Sequence, residues 1–130
     1  MNNSEVFNLV CCRVFDAVMS VFPLPARLLK QEIMRDIESD SGLDDLFYYS
    51  VTWLERHGYI EIKAKELGSS CFDLVFPTEK TLAIMNAVPD ALKGSRKSIL
   101  EDIKDCLKMG TSQAIADAVK NIWNAGVSLF

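Results

Sequence analysis

Residues 42–78 read GLDDLFYYSVTWLERHGYIEIKAKELGSSCFDLVFPT, and this stretch decides the fold. Its first part carries apolar residues at helical spacing, with Phe47, Val51 and Leu54 four and then three residues apart. Gly58 can adopt the left-handed backbone conformation that closes a helix. The stretch therefore predicts a helix that ends just before Gly58, followed by extended chain.

The extended part has the pattern of a β-hairpin. Residues 59–66 alternate between apolar and charged side chains, as expected for a strand with one buried face. Residues 71–76 form the predicted return strand, and we expect Phe72, Leu74 and Phe76 on its core side. A Pro-Thr pair then ends the strand and caps a further helix.

Apolar residues at three- and four-residue steps predict five further helices. They cover residues 5–22 after a cap at Ser4, 26–38, 79–87, a segment from a cap at Ser95 or Ser98 to residue 109, and a segment from a cap at Thr111 to residue 125, which Gly126 ends. We therefore expect an α+β fold that is mostly α. Residues 1–89 form one domain, and residues 90–130 form a helical extension packed on the first helix.

Composition and charge limit the classes of function. The chain has 130 residues, of which 49% are apolar, so it can bury a core of its own. Its net charge is −4, and residues 1–89 carry eight Lys and Arg against thirteen Asp and Glu. Because phosphate contacts supply most of the affinity of nucleic-acid-binding proteins, an acidic N-terminal part argues against strong independent DNA binding.

No pattern in the chain indicates catalysis, a cofactor or a metal. The four cysteines include no CxxC pair, and the single histidine, His57, has no partner ligand nearby in the sequence. Phosphate-binding glycine loops and a nucleophile elbow are absent from the sequence. The N-terminus lacks the basic start of a secretory signal, and residues 6–22 are too short and too charged to span a membrane. We expect a cytoplasmic protein that is not an enzyme.

Two short motifs resemble the winged helix-turn-helix superfamily. Residues 54–60 read LERHGYI, which is similar to the Leu-Glu-x-x-Gly-hydrophobic-Ile pattern at the end of its recognition helices. Residues 76–81 read FPTEKT, which is similar to its Leu-Thr-x-x-Gly motif except that Thr81 replaces the glycine. The likeness covers about residues 5–89, and the C-terminal helix pair resembles the dimerisation extensions of small bacterial regulators.

This resemblance implies a dimeric, DNA-binding transcriptional regulator. Residues 43–57 would form the recognition helix and residues 59–76 the wing. The residues that would contact DNA or another partner are Tyr48, Tyr49, Thr52, Arg56, Lys63, Lys65, Arg27 and Lys30, the last two on the second predicted helix. The residues that would hold the dimer together are Ile115, Val119, Ile122, Trp123 and Phe130.

The front of the recognition helix departs from that expectation and leaves an alternative open. It begins with Asp44 and Asp45, which suit a helix N-terminus but would face DNA phosphates unfavourably. Tyr48, Tyr49 and Trp53 give the same helix an aromatic character that is typical of protein interfaces. The alternative is therefore an acidic winged-helix module that binds a protein partner without binding DNA. Lys and Asp are nearly balanced on the C-terminal helices, so we do not expect membrane binding.

Overall fold

Six helices and a three-stranded antiparallel sheet make up the described part of the chain. A computed structural model describes residues 1–38, 42–65, 70–88, 94 and 96–129. The elements are α1 (Asn3–Val21), β1 (Ala26–Leu29), α2 (Lys30–Ile33), α3 (Leu43–Arg56), β2 (Ile60–Lys65), β3 (Cys71–Pro77), α4 (Glu79–Asn86), α5 (Ile99–Met109) and α6 (Ser112–Leu129). The fold is α+β and mostly helical, as predicted. None of the described helices is long and apolar enough to cross a bilayer.

The helix predicted over residues 26–38 is wrong. Its first four residues form strand β1, and only one helical turn, α2, follows them. Ala26 and Leu28 are buried and pair with Val75 and Phe72 of β3, so β1 is an edge of a sheet in the order β1-β3-β2. Their spacing of two is the period of a strand, whereas the apolar residues at 28, 29, 33 and 37 have the spacing of a helix, and the pairing with β3 decides between the two patterns.

Strand β3 contains a bulge that the sequence pattern did not predict. Ala26 of β1 pairs with Val75 of β3, and Leu28 pairs with Phe72. Two steps along β1 therefore correspond to three steps along β3, so β3 holds one extra residue. Leu74, predicted on the core side, adopts a φ of 50° and is 42% exposed, whereas Val75 is buried. The prediction for Leu74 is therefore wrong, because the bulge shifts the alternation of buried and exposed side chains along β3 by one residue.

Helix α1 is the central element of the fold. Its cap is Asn2 rather than the predicted Ser4: the amide of Glu5 donates to Asn2 Oδ1 at 2.9 Å, and the amide of Asn2 donates to Glu5 Oε1 at 3.1 Å. The helix packs against α3, α5, α6 and the sheet. Burial raises the pKa of Cys12 to about 12, and it also raises the pKa of Cys11, so both thiols stay protonated in this core.

The predicted ends of α4 and α5 are confirmed. Thr78 caps α4, and the Thr81 amide donates to its hydroxyl oxygen at 3.3 Å. Ser98 caps α5 with a reciprocal bond to Glu101, and Gly110 ends that helix with a φ of 72°. The alternative cap, Ser95, lies outside the described residues.

The predicted end of α6 at Gly126 is wrong, because the helix continues to Leu129. Gly126 is buried, and a Cβ at this position would lie 3.3 Å from the Tyr59 hydroxyl oxygen and 3.5 Å from Ile84 Cδ1. A glycine here lets the backbone of α6 approach Tyr59 and α4 closely. Its role is close packing rather than helix termination.

We expect Gly126→Leu to destabilise the chain by about 2 kcal/mol, because the new side chain must displace Tyr59 and Ile84. Ser128→Leu is the matched control, since it places the same side chain on the exposed face of α6 and changes stability by less than about 0.5 kcal/mol. Urea unfolding followed by circular dichroism measures both. Equal stabilities for the two variants would show that Gly126 is not needed for packing.

Candidate interaction surface

The outward face of α3 consists of four residues at three- and four-residue steps. They are Asp45, Tyr49, Thr52 and Arg56. Tyr49 is 66% exposed, and Asp45 and Arg56 are also exposed. The Thr52 hydroxyl donates to the Tyr48 carbonyl at 2.9 Å and is thus partly used within the helix. One carboxylate and one guanidinium leave this face close to neutral.

Tyr48 lies beside this face and packs on the sheet. Its ring stacks on Phe72 with the centroids 5.8 Å apart, and it meets the ring of Tyr49 edge to face at 5.3 Å. Tyr48 is half-buried, whereas Tyr49 projects from the surface. The sequence placed Tyr48 on the outward face with Tyr49 beside it, and this order is wrong, because the ring of Tyr48 packs on Phe72 and Tyr49 is the one that remains available for a large contact.

Two of the three lysines predicted to contact DNA have acidic neighbours. Lys30, the first residue of α2, forms an ion pair with Asp44 at the start of α3. Lys63 on β2 lies 3.2 Å from Glu61, and both side chains are more than half exposed. Exposed pairs of this kind contribute little to stability, but they cancel charge locally. The surface around α3 therefore offers little net positive charge for phosphates.

The other two basic residues predicted to contact DNA outside α3, Arg27 and Lys65, lie on strands of the sheet. Arg27 lies on β1 rather than on a helix, is exposed, and donates through Nε to Cys71 Sγ at 3.4 Å. Lys65 is the last residue of β2, and its side chain lies outside what the structure describes. The two basic side chains of β1 and β2 that the structure describes, Arg27 and Lys63, are on the two outer strands of the sheet.

A groove runs between the N-terminal half of α1 and α3, and we call it the α1–α3 groove. Its volume is about 620 Å³, and its walls include Phe7, Asp45, Leu46, Tyr49, Ser50 and Trp53. Phe7 meets Trp53 edge to face with the ring centroids 5.2 Å apart. The sequence does not predict Phe7 as a site residue, because its place in the wide apolar stripe of α1 is the pattern of a core residue.

Trp53 joins the groove to the interior of the protein. Its ring stacks on His57 at 3.9 Å and packs against Trp123 at 5.4 Å and Tyr59 at 6.2 Å. His57 Nδ1 lies 2.9 Å from the Trp53 carbonyl oxygen at the end of α3. The groove wall formed by Trp53 is thus fixed by aromatic contacts with α6 and with the start of the hairpin.

Four of the five residues predicted to form a dimer interface pack against other parts of the same chain. Ile115, Val119 and Ile122 are buried where α6 packs against α1 and α5. Trp123 packs against Phe15, Trp53 and Tyr59, and Phe130 lies outside the described residues. The apolar stripe of α6 is therefore accounted for by packing inside one subunit.

Within the described ranges, no group of three or more His, Cys, Asp or Glu side chains could hold a metal ion. The four cysteines are buried and are not in disulfides. The features that the structure places around α3 are an apolar groove, an exposed tyrosine and a nearly neutral helix face.

Substitution of Tyr48 and of Tyr49 distinguishes a ring that stabilises the fold from a ring that is available to a partner. Tyr48→Ala removes the stack on Phe72, so we expect a loss of about 1 to 3 kcal/mol in the free energy of unfolding. Tyr49→Ala removes a ring that is 66% exposed, so we expect a change of less than about 0.5 kcal/mol. Chemical denaturation measures both, and a larger loss for Tyr49→Ala would place that ring in the core.

Comparisons of the chain with protein-family models, with curated proteins and with solved structures found no match. Because function resides in sites rather than in folds, the candidate surface itself must carry the functional inference.

Proposed function

We propose that the chain is a protein-interaction module of winged-helix type, and that α3 and the α1–α3 groove bind a partner protein. Tyr49 carries this proposal: its ring is 66% exposed at the edge of a groove lined by Phe7 and Trp53. Tyrosine and tryptophan are enriched in protein interfaces because they bury a large area at a low cost in side-chain entropy.

The order of elements supports the winged-helix type. Helix α3 directly precedes the β2–β3 hairpin, and its end at Gly58 has the positive φ of 78° that the motif in residues 54–60 predicts. Thr81, which replaces the motif glycine, is buried and donates to the Tyr59 carbonyl at 2.6 Å. A threonine can therefore stand at this position while still tying α4 to the start of the hairpin. Helix α2 is a single turn, shorter than the helix that the resemblance implies.

The groove also indicates the chemistry of the partner. Phe7, Leu46, Tyr49 and Trp53 form the apolar part of its walls, and Asp45 supplies a carboxylate beside Tyr49. The other polar residues in the walls are Asn3, Ser4, Asn8 and Ser50. The N-terminal 89 residues carry an excess of five acidic over basic groups. We therefore infer a partner segment that places an apolar side chain in the groove and a Lys or Arg beside Asp45.

Selection from a random peptide library tests the proposal even though the partner protein is unidentified. We expect selection against the full chain to enrich peptides with an apolar anchor next to a basic residue. Tyr49→Ala should weaken their binding about tenfold, which is roughly the 1.4 kcal/mol expected for an interface aromatic. Binding is measured by fluorescence anisotropy.

Leu24→Ala is the matched control, because Leu24 is 68% exposed and lies beyond the opposite end of α1 from the groove. This variant should bind the selected peptides like the original chain. Failure to enrich any peptide, or equal losses for Tyr49→Ala and Leu24→Ala, would rule out the groove as the binding surface.

A dimeric, DNA-binding regulator is the second candidate function. Arg56 favours it, because it is exposed on the outward face of α3 together with Tyr49 and Thr52. Arg27 and Lys63 on the sheet would then supply contacts to the DNA backbone. In a dimer the number of such contacts would double, which would offset the acidic character of one chain.

Binding to random-sequence duplex DNA at low salt distinguishes the two candidates. For the interaction module we expect no measurable binding, because Lys30 and Lys63 are paired with acids. A DNA-binding regulator would bind with a steep salt dependence, about 0.9 log units of affinity per log unit of salt for each phosphate contact. In that case Lys63→Gln would weaken binding and Lys120→Gln, an equal charge change on the exposed face of α6, would not. That result would replace the first proposal, and sedimentation of the same sample would test the dimer.

A further inference from the structure

A second depression lies near the other end of α1, and we call it the α1–α5 cleft. Its volume is about 450 Å³. It is lined by Asp16 and Ser20 of α1, Arg35 of the turn after α2, and Lys104, Leu107 and Lys108 of α5. The cleft therefore brings together three segments that are far apart in the sequence, and none of these six residues lines the α1–α3 groove.

The charge of the cleft is opposite to that of the chain. Three cations face one carboxylate, although the whole protein has a net charge of −4. Lys104 and Lys108 are one turn apart and so project from the same side of α5, toward the cleft that Arg35 borders. Lys104 Nζ lies 3.4 Å from Asp16 Oδ1, which leaves Arg35 and Lys108 as additional positive charge at the rim.

Two buried polar atoms of α1 make no hydrogen bond in the described part of the chain. One belongs to a residue that lines the cleft, and the other lies one turn before it. They are Asp16 Oδ1 and Arg13 Nε, three residues apart. The ion pair between Lys104 and Asp16 Oδ1 does not have hydrogen-bond geometry. The Asp16 side chain as a whole is 36% exposed and lines the cleft, so its carboxylate can also accept from a ligand bound there.

Arg13 also fixes the wall that carries Arg35. Its Nη1 donates to the carbonyls of Ile33 and Arg35, both at 2.8 Å. Burial lowers the pKa of Arg13, and the neighbouring Arg35 lowers it further. The carboxylate of Asp36 acts in the opposite direction and raises this pKa, and an anion bound beside Arg35 would likewise offset the repulsion between the two arginines.

We propose that the α1–α5 cleft binds a small anion that carries its own hydroxyl, of which hydrogen phosphate is the simplest. The charged oxygens of the anion accept from Arg35, Lys104 and Lys108, and its O–H donates to the part of the Asp16 carboxylate that lines the cleft. The Asp16 carboxylate makes the site selective, because an anion without a proton would place oxygen against oxygen there. This inference does not depend on the function proposed for α3.

Titration of the full chain with inorganic phosphate and with sulfate at about pH 8 tests this site by calorimetry or chemical-shift changes. Sulfate has a similar size and charge but no proton to donate, so we expect it to bind about tenfold more weakly than phosphate. Phosphoserine is the third probe, because a phosphate ester is fully ionised at this pH, about two units above its second pKa. It should bind as weakly as sulfate.

Three variants locate the binding on the protein. Lys108→Gln removes one cation of the rim and should weaken phosphate binding about tenfold, whereas Lys120→Gln makes the same change on the exposed face of α6 and should have no effect. Asp16→Asn replaces an obligate acceptor by an amide that can also donate, so it should bring the affinity for sulfate close to that for phosphate.

Each contrary outcome overturns the proposal. Absence of saturable phosphate binding at millimolar concentrations would remove the site, and equal losses for Lys108→Gln and Lys120→Gln would reduce it to a general charge effect. Sulfate binding equal to phosphate binding in the original chain would remove the role of Asp16. Tighter binding of phosphoserine than of phosphate would identify a phosphorylated protein as the ligand instead.

Discussion

Burial of α1 over most of its circumference is the constraint on which the rest of the structure depends. Its buried residues are Val6, Val10, Cys11, Cys12, Val14, Phe15 and Val18. Each large apolar side chain that is fully buried contributes about 1.5 to 3 kcal/mol, so this helix alone accounts for a substantial part of the core. α3, the sheet, α5 and α6 surround it, and the helical extension at residues 99–129 is therefore part of the same core as the hairpin.

Interruptions in the apolar surface of α1 coincide with both candidate sites. Asn8 lines the α1–α3 groove, and Asp16 and Ser20 line the α1–α5 cleft. A helix that is buried all round needs no polar residue facing its neighbours, so each interruption indicates a place where packing is incomplete. Trp53, packed on Trp123 and Tyr59, keeps the groove open by holding α3 at a fixed position relative to α6.

Local patterns predict much of this fold, and long-range pairing explains the rest. Helix α3 and the caps at Thr78 and Ser98 follow from residues within one or two turns of each other. Strand β1 could not be predicted in the same way, because Ala26 and Leu28 become a strand through pairing with residues more than forty positions later. The bulge at Leu74 is likewise a property of two strands together. Sequence spacing alone cannot distinguish a glycine such as Gly126, which allows close packing, from one that ends a helix.

For the candidate surface, too, local patterns predict one part and long-range contacts determine the other. The exposure of Arg56 follows from helical spacing on α3, and the sequence predicts it. The same spacing placed Tyr48 on the exposed face with Tyr49 beside it, whereas the structure exposes Tyr49 and half-buries Tyr48. The pairing of Lys30 with Asp44 depends on where β1 and α2 place that lysine, so no local pattern reveals it.

That ion pair also distinguishes the two aspartates at the start of α3, because only one of them is paired with Lys30. Lys30 compensates Asp44, while Asp45 lines the groove beside Tyr49. Because the charges around the helix are largely paired, long-range attraction to a phosphate backbone is weak, and screening by salt weakens it further. If α3 binds a partner as proposed, recognition would then come from short-range contacts of an exposed ring and an apolar groove. Contacts of that kind select a complementary protein surface more readily than a nucleic acid.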